Sequence, residues 1–542
     1  MADDQLPDNS SHGGSGEPST GQFGRKLLKS TSVVSSMTLL SRILGLVRDV
    51  VFARMFGATI VMDAFIVANR IPNMLRRFFA EGAFSQGFVP VMARYRENGD
   101  QEDARGFIDA IAGTLGLILF LVTLVGVVAA PLLVLIVAPG FVGEDGRFDL
   151  ATAMLRFTFP YLFFVSLTAF AGGVLNTYGK FAAPAFTPVI LNLVLIASAL
   201  WLAPMTAEPG MALAYGVFIA GAVQLAFQVP FLAKIHAVPR PRWRPGHEGV
   251  KRVGALMLPA IFGSSVAQIN VLLGGIIASM LGVGKVSLLY YSDRLMEFPL
   301  GLFGIALATV TLPYLSRQAA TNSMEEFSNT IDWSMKLTVL IAAPAAVGLI
   351  ILAEPLMATI FYGGVFTETD VRLAGLSLQA FAFGLVGFSF VKILAPAYFA
   401  REDTKTPVKI GLIALGVNFV LSVVLAYVLT RIGYEGTHAG LALAISIAAL
   451  LNAWLLHRGL RADGIIHHPP GWAIFLIRVL IAIVAMVICL EYLNRPLEWW
   501  LPASITARAL WLMTIVGAGA VVFFVTLFVA GIRFSQLRHR SG

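Results

Sequence analysis

The sequence predicts an all-α, polytopic membrane protein of about fourteen transmembrane helices, grouped as six, six and two. Three observations carry this expectation. Of 542 residues, 57% are hydrophobic and only 13% charged, with a mean hydropathy of +0.79, too little polar material to cover a water-facing surface of that size. Apolar runs of about twenty residues, the length that crosses a hydrocarbon core, recur along the chain. The chain also resembles itself weakly at a near-constant offset.

Taken in order, residues 1–24, MADDQLPDNSSHGGSGEPSTGQFG, are acidic, rich in Ser, Gly and Pro and lack an apolar run. They are expected to form a disordered tail and not a signal peptide, which needs a basic start and an apolar stretch. Spans are expected near 33–56, 60–92, 107–137, 151–176, 184–204, 210–235, 253–281, 286–315, 332–353, 371–399, 407–430, 437–457, 472–493 and 507–531. The stretch from Ala110 to Gly143 holds no charge, and Pro131 and Pro139 within it predict a kink or an early end. Trp499 and Trp500 fit an interfacial aromatic belt.

With the N-terminus placed in the cytoplasm, 22 of the 39 Lys and Arg residues fall on loops of that side. Only Arg147, Lys285, Arg372, Arg431, Arg495 and Arg508 fall on the other. The positive-inside rule then puts both termini in the cytoplasm. The formal net charge of +8 is thereby assigned to topology and not to nucleic acid.

Phe88-Val-Pro-Val-Met-Ala-Arg94 resembles Thr311-Leu-Pro-Tyr-Leu-Ser-Arg317, and Phe107-Ile-Asp109 resembles Thr330-Ile-Asp332. Ala130-Pro131 pairs with Glu354-Pro355, and Thr177-Tyr178 with Ala397-Tyr398, giving offsets of 223, 223, 224 and 220. Six helices separate equivalent points, so the halves share one orientation, as in transporters built from parallel repeats. The expected units are an N-lobe over 25–236, a C-lobe over 237–458 and a C-terminal helix pair over 459–542.

Several chemistries are excluded by composition. A single cysteine, Cys489, allows no disulfide scaffold, CxxC pair or thiolate cage, and the eight histidines form no HExxH. No P-loop, Rossmann fingerprint or Ser/His/Asp arrangement is found, so no catalytic residue, metal or cofactor is expected and the protein is not read as an enzyme. His467 and His468, beside Pro469-Pro470 in a loop, are read as solvated.

The informative residues are charges inside the spans. The first two carry Arg42, Arg48, Asp49, Arg54, Asp63, Arg70, Arg76, Arg77 and Glu81. At about 2.5 to 3.5 kcal/mol each near mid-bilayer, most must face protein, water or an interface. Ser41 with Arg48, and Arg42 with Asp49, are seven apart, and Asp63, Arg70 and Arg77 form a second seven-residue column. Span eight adds Asp293, Arg294 and Glu297 before Pro299, Gly301 and Gly304, and the offset of 223 maps Arg294 to position 71. The two clusters can therefore face each other across one cavity.

Some of these charges have a structural reading, Arg77 pairing with Glu81, and Asp293 or Arg294 with Glu297. Pairing cannot neutralise the group, because between Ser41 and Glu81 six arginines face three acids. An anion is the missing partner, and the planar guanidinium fork suits phosphate or diphosphate. Voltage sensing would need a three-residue arginine ladder, which is absent. Asn176, Asn192, Gln224, Gln268, Asn270 and Asn418 are read as interhelical hydrogen-bond partners, although Asn270 and Asn418 could join an ion site.

These residues carry a family resemblance. Ser35-Ser-Met-Thr-Leu-Leu-Ser41-Arg42-Ile-Leu-Gly45-Leu-Val-Arg48-Asp49, Met62-Asp63-Ala-Phe65, Arg70-Ile-Pro72-Asn73-Met-Leu-Arg76-Arg77-Phe-Phe-Ala-Glu81 continuing to Pro90, Tyr290-Tyr-Ser-Asp293-Arg294-Leu-Met-Glu297-Phe-Pro299 and Asp403-Thr-Lys405-Thr-Pro407 resemble the bacterial lipid II flippases of the MurJ (MviN) family. That family lies within the multidrug/oligosaccharidyl-lipid/polysaccharide flippase superfamily. The resemblance implies two six-helix lobes around a cavity, a flippase that moves lipid II from the cytoplasmic to the periplasmic leaflet by alternating access, and a lipid-tail groove on the last two helices. It implies that Ser41, Arg42, Arg48, Asp63, Arg76, Glu81, Arg294 and Glu297 matter for function; among the charges read above, Arg42, Arg48, Arg76 and Arg294 are the expected diphosphate contacts, and Ser41, Asp63, Arg77, Glu81, Asp293 and Glu297 the expected cavity or gate residues, with Asp63 latching the periplasmic side.

Some family members bind sodium through an aspartate in helix seven. The span 253–281 has no Asp or Glu, so sodium coupling is not expected here and the membrane potential is the expected driver. The implied setting is the bacterial inner membrane. Lipid II and membrane lipids are the expected partners, the peptidoglycan-synthesis machinery is a further candidate partner, and the chain is expected to be monomeric without nucleic acid. The alternatives are an exporter of another polyprenyl-diphosphate oligosaccharide or of drugs, where a drug pump would need unpaired cavity carboxylates. A membrane glycosyltransferase or phosphatase would need an Asp or His set that the longest loop, near 236–252, does not carry.

Overall fold

The computed structural model describes residues 20–77, 83–97, 101–143, 145–301, 305–321, 323–466 and 471–532. Among them the fold is all-α, and ten helices are long and apolar enough to cross a membrane. The expected first, second, seventh and eighth spans are not among the ten: the first, second and eighth carry the charges described above, and in the seventh the described apolar stretch is the shorter Gln268–Ser279.

The first half contains α1 (Thr20–Phe56), α2 (Ile60–Arg76), α3 (Ala83–Glu97), α4 (Gln101–Val128), α5 (Ala130–Val137), α6 (Arg147–Thr158), α7 (Tyr161–Thr177), α8 (Ala182–Ala197) and α9 (Met211–Lys234). The second half contains α10 (Glu248–Ser279), α11 (Lys285–Pro299), α12 (Ile305–Ala320), α13 (Met324–Ile351), α14 (Ala353–Ile360), α15 (Glu368–Phe383), α16 (Leu385–Phe399), α17 (Lys405–Arg431) and α18 (Thr437–Ala462). Among the described residues, each half runs as one long helix, three pairs of shorter helices and two further helices. The ends match closely: Phe56 and Ser279, Val128 and Ile351, Ala130 and Ala353, Val137 and Ile360, and Ala182 and Lys405 are each 223 residues apart.

The interruptions have local causes. Pro131, which has no N–H to donate, sits at the start of α5 and ends α4 at Val128. Pro160 separates α6 from α7. The α15–α16 break falls at Gly384, where a side chain would lie 2.6 Å from the Ser446 Cα of α18.

Two sequence expectations change. Residues 20–24, assigned to the tail, form the first turns of α1, while 1–19 lie outside the described residues. The lobe boundary at 237 also places the whole of α10 in the second half. In the structure its first half packs on the first lobe, with Val253 buried beside Phe84, Phe88 and Phe107, and Gly249 set against the Phe107 ring. Its second half meets α17 through Asn418 Nδ2, which donates to Asn270 Oδ1 at 2.7 Å. Nothing in its apolar periodicity distinguishes these two allegiances.

The last helices, α19 (Trp472–Leu493), α20 (Leu497–Trp500) and α21 (Ile505–Val529), dock on the second half at both ends. Trp472 Nε1 donates to Asp332 Oδ1 at 2.5 Å, and the buried Arg508 donates from Nη1 to the Ala358 carbonyl at 2.5 Å. Their outward faces expose Leu480, Ile481, Val484, Ile488, Val521 and Val525, as a hydrocarbon solvent requires.

Candidate functional site

The site is centred on one buried carboxylate. Asp49 of α1 is 2% exposed, so its charge must be met by protein donors. Oδ1 accepts from Arg48 Nη2 at 2.7 Å, from Arg48 Nε at 3.0 Å and from the Tyr290 hydroxyl of α11 at 2.8 Å. Oδ2 pairs with Arg294 Nε of α11 at 3.4 Å. Arg48 Nη1 donates to Asn192 Oδ1 of α8 at 3.0 Å, and Asn192 Nδ2 donates to the Ser41 carbonyl at 3.0 Å. Arg294 extends the network by donating to Glu297 Oε2 at 3.1 Å, and its guanidinium lies 5.0 Å from the Tyr290 ring centroid. One carboxylate thus holds an arginine from each half.

A second line of contacts follows the Asp63, Arg70 and Arg77 column of α2. Asp63 is fully buried and accepts three hydrogen bonds at the start of α11: from Gly284 N–H at 2.6 Å, Ser287 N–H at 2.9 Å and Ser287 Oγ–H at 2.5 Å. A carboxylate satisfying the orphan donors of a helix N-terminus is favoured by both hydrogen bonding and the helix dipole. Gly284, at φ 80°, is required there, because a side chain would lie 2.5 Å from the Ala58 carbonyl. The Arg70 guanidinium fills the space that a side chain at Gly275 of α10 would need, and Arg77 Nη1 donates to Gln268 Oε1, seven residues earlier, at 3.4 Å. The column therefore faces α10 and α11, across the boundary between halves.

Other contacts at the Asp63 end hold the halves together. Val365 N–H donates to the Arg54 carbonyl at 2.8 Å, Tyr291 Oη–H to the Gly57 carbonyl at 3.3 Å, and Gly140 N–H to Ser279 Oγ at 3.2 Å. Tyr291 packs on Phe361 and Phe366 with ring centroids 5.1 and 5.5 Å away.

Of the residues singled out in the sequence, Arg48, Arg294, Glu297 and the Ser41 carbonyl join one network, and Asp63 and Arg77 join the α2 column. Arg42 reaches across to the second half, its guanidinium filling the space that a side chain at Gly301 would need. Asp293 lies within electrostatic reach of Arg70, and Arg76 is half-buried at the end of α2. Glu81 lies outside the described residues, and with it the expected Arg77–Glu81 pair.

Sequence reasoning left Asp49, Tyr290, Asn192 and Lys392 out of the site. The sequence shows Asp49 only as one of the intramembrane charges, and Asn192 reads there as a structural amide. Lys392 of α16, within electrostatic reach of Glu297 and Arg42, had a signal that was overlooked, a lone lysine inside an apolar run. In all, Arg42, Arg48, Arg70, Arg76, Arg77, Arg294 and Lys392 outnumber Asp49, Asp63, Asp293 and Glu297, so the described site remains cationic.

Asn270 of α10 meets Asn418 and Ser422 of α17, Ser422 donating to Asn418 Oδ1 at 3.4 Å, so this contact is made by amide and hydroxyl groups. Among the described residues no group of three or more His, Cys, Asp or Glu could hold a metal ion.

Comparisons with known proteins converge on one family. Residues 52–510 match the family model "Lipid II flippase MurJ". A "Probable lipid II flippase MurJ" from Haemophilus influenzae is 45% identical over 517 residues, covering 92% of this chain and 99% of that protein. A "Lipid II flippase MurJ" from Burkholderia cenocepacia is 41% identical over 523 residues, covering 95% and 99%. In fold, the chain is similar to a structure of a lipid II flippase MurJ in an inward closed conformation, with a TM-score of 0.75 at 24% identity over 93% of this chain and 99% of that one. It is also similar to an inward-facing multidrug resistance MATE family transporter, with a TM-score of 0.63 at 15% identity over 79% and 98%.

Proposed function

Because the chain belongs to the MurJ family of lipid II flippases, we propose that its central arginines bind the diphosphate of lipid II and that Asp49 is the internal anion which the diphosphate replaces. The protein is a transporter and not an enzyme, and its substrate is lipid II. The observation that carries the reading of the site is the double attachment of Asp49, to Arg48 in its own half and to Arg294 in the other. A diphosphate offers more charge and more acceptor oxygens than one carboxylate, so it competes for both arginines.

Displacing Asp49 also undoes a tie between α1 and α11 at Arg294, seven residues along α11 from Ser287, where Asp63 holds its first turn. Substrate binding and release of the Asp63 end are thereby coupled through one helix. With the Asp63 end shut, the headgroup enters from the arginine-rich end, which the positive-inside rule assigns to the cytoplasm. Opening the Asp63 end delivers the headgroup to the periplasm while the prenyl tail stays in lipid along α19 and α21. One chain contains both halves of the cavity, so a monomer suffices. The surplus of arginine over carboxylate favours this reading over a drug exporter.

The direct test is a leaflet-resolved lipid II accessibility assay in cells whose own flippase is depleted. The parent chain should restore periplasmic exposure of lipid II. R48A and R294A, present in the membrane at normal amounts, should not, and full activity of either would remove that arginine from the site.

A further inference from the structure

The chain between α9 and α10 carries groups for which transport has no use. From Ala237 it reads Ala-Val-Pro-Arg240-Pro-Arg242-Trp243-Arg244-Pro-Gly246-His247 and is pinned across α4. Asp109 Oδ1 accepts from Arg240 N–H at 2.7 Å, and the Asp109 carbonyl accepts from Arg242 N–H at 3.0 Å. The Arg242 backbone lies so close over Gly113 that any side chain there would collide. The backbone of this strap is thus fixed, while Arg240, Arg242, Trp243 and Arg244 remain exposed. Arg242 approaches the Asp109 carboxylate only to 4.0 Å, which leaves most of the strap's positive charge uncompensated.

Its position defines its surroundings. Along the same face of α4, four, seven, eight and eleven residues beyond Gly113, stand Leu117, Phe120, Leu121 and Leu124, each 40% to 55% exposed. At 1.5 Å per residue this lipid-facing stripe begins about 6 Å from the strap. The arginines and the tryptophan therefore sit where hydrocarbon gives way to headgroups. They lie outside the first half, away from the space between halves that Arg42 and Arg48 occupy.

The internal repeat supplies a control. Asp332, 223 residues after Asp109, likewise holds the segment that follows its own half, through Trp472. Yet from Asp463 to Ile477 the sequence has neither Arg nor Lys. The hook belongs to the architecture, and the second half builds it with one lysine of α13, Lys336, on Asp332 and with no cation on the docked segment itself, so packing does not account for three arginines around a tryptophan in the first.

We propose that Pro239–Arg244 is a binding site for anionic phospholipid, in which Arg240, Arg242 and Arg244 take the headgroup phosphate and Trp243 seats at the interface. Guanidinium forks match phosphate oxygens, juxtamembrane cation clusters attract anionic lipid, and tryptophan prefers the headgroup layer. A pinned backbone spares the entropy of ordering the strap on binding. The site is independent of what the central arginines carry.

The test uses the full-length protein in detergent, titrated with dioleoyl-phosphatidylglycerol, with dioleoyl-phosphatidylcholine as the neutral control and undecaprenyl diphosphate as the competing anion, and bound lipid counted by native mass spectrometry. The R240Q/R242Q/R244Q variant should lose affinity for phosphatidylglycerol on the order of a hundred-fold, and R244Q alone about five-fold, with phosphatidylcholine unaffected. The R240K/R242K/R244K variant, which keeps the charge, should stay within about ten-fold of the parent. Unchanged phosphatidylglycerol binding by a glutamine variant overturns the proposal, as does an equal loss of phosphatidylcholine. Loss of undecaprenyl diphosphate with phosphatidylglycerol retained assigns the strap to the transported lipid instead. Should the triple variant fail to fold, R244Q decides alone.

Discussion

Asp49 and its arginines divide the work of the site between charge and geometry. Removing one partner from a buried ion pair leaves a bare charge, at a cost of about 3 to 5 kcal/mol, so neither partner is expendable. The two directions of loss should nevertheless look different. R48A and R294A remove the proposed ligands of the diphosphate and are expected to weaken undecaprenyl diphosphate binding at least about ten-fold, with lysine at either position rescuing in part because the fork is lost. D49N removes the competing anion, and is expected to bind undecaprenyl diphosphate at least as tightly as the parent while failing to transport, because the tie between α1 and α11 is gone. Weakened binding by D49N in a titration of the purified protein would show that Asp49 organises the arginines and does not compete for them. At this scale the sequence discloses which charges must face inward, since each arginine in an apolar run is expensive, but not their partners. Tyr290 and Asn192 reach Arg48 only because α11 and α8 happen to converge on α1, a long-range outcome that heptad spacing does not encode.

Helices α2 and α11 form the element on which the Asp63 end depends. Asp63 satisfies two backbone donors and one hydroxyl at the α11 N-terminus, charge-assisted bonds of about 1.5 to 3 kcal/mol each. D63N keeps the shape but replaces one acceptor oxygen by an NH2 group that faces the same donors, so it is expected to loosen this end and lower transport about ten-fold or more. The check is a cysteine at Ala58, beside Gly284, with Cys489 first replaced. Its rate of reaction with a membrane-impermeant thiol reagent should rise about ten-fold when D63N is added, and an unchanged rate would mean that the aromatic packing of Tyr291, Phe361 and Phe366 closes this end by itself. Elements were the most legible level of the sequence. Apolar runs located the spans, and Pro131 marked the interruption that ends α4. The start of α1 is not legible because its first turns hold no apolar run, and the divided packing of α10 is not legible because an apolar run locates a helix without naming its neighbours.

The molecule as a whole must move a negatively charged headgroup outward past about 30 Å of hydrocarbon. The orientation assumed for this can be checked by cysteine labelling: residues at Gly143 and Glu435 are expected to react with an impermeant reagent from outside, and one at Gly246 only after permeabilisation. The direction of coupling then follows from charge. A potential of 100 mV, negative inside, favours outward passage of each negative charge by about 2.3 kcal/mol, and it draws the empty site, cationic by its arginines and Lys392, back toward the cytoplasm. We propose that sodium has no comparable foothold, because it is bound by several oxygens, commonly including a carboxylate, while the described contact of α10 with α17 is made by Asn270, Asn418 and Ser422. Asn418 bridges the other two, donating to Asn270 and accepting from Ser422, so the pair acts as a clasp between two helices. Collapsing the potential with an ionophore at constant sodium is therefore expected to stop flipping, whereas replacing sodium by potassium or choline at constant potential should change the rate less than about two-fold. Transport that stops on sodium removal alone, with the potential held, would require the amide clasp to open around the ion and would transfer the driving force from the membrane potential to the sodium gradient.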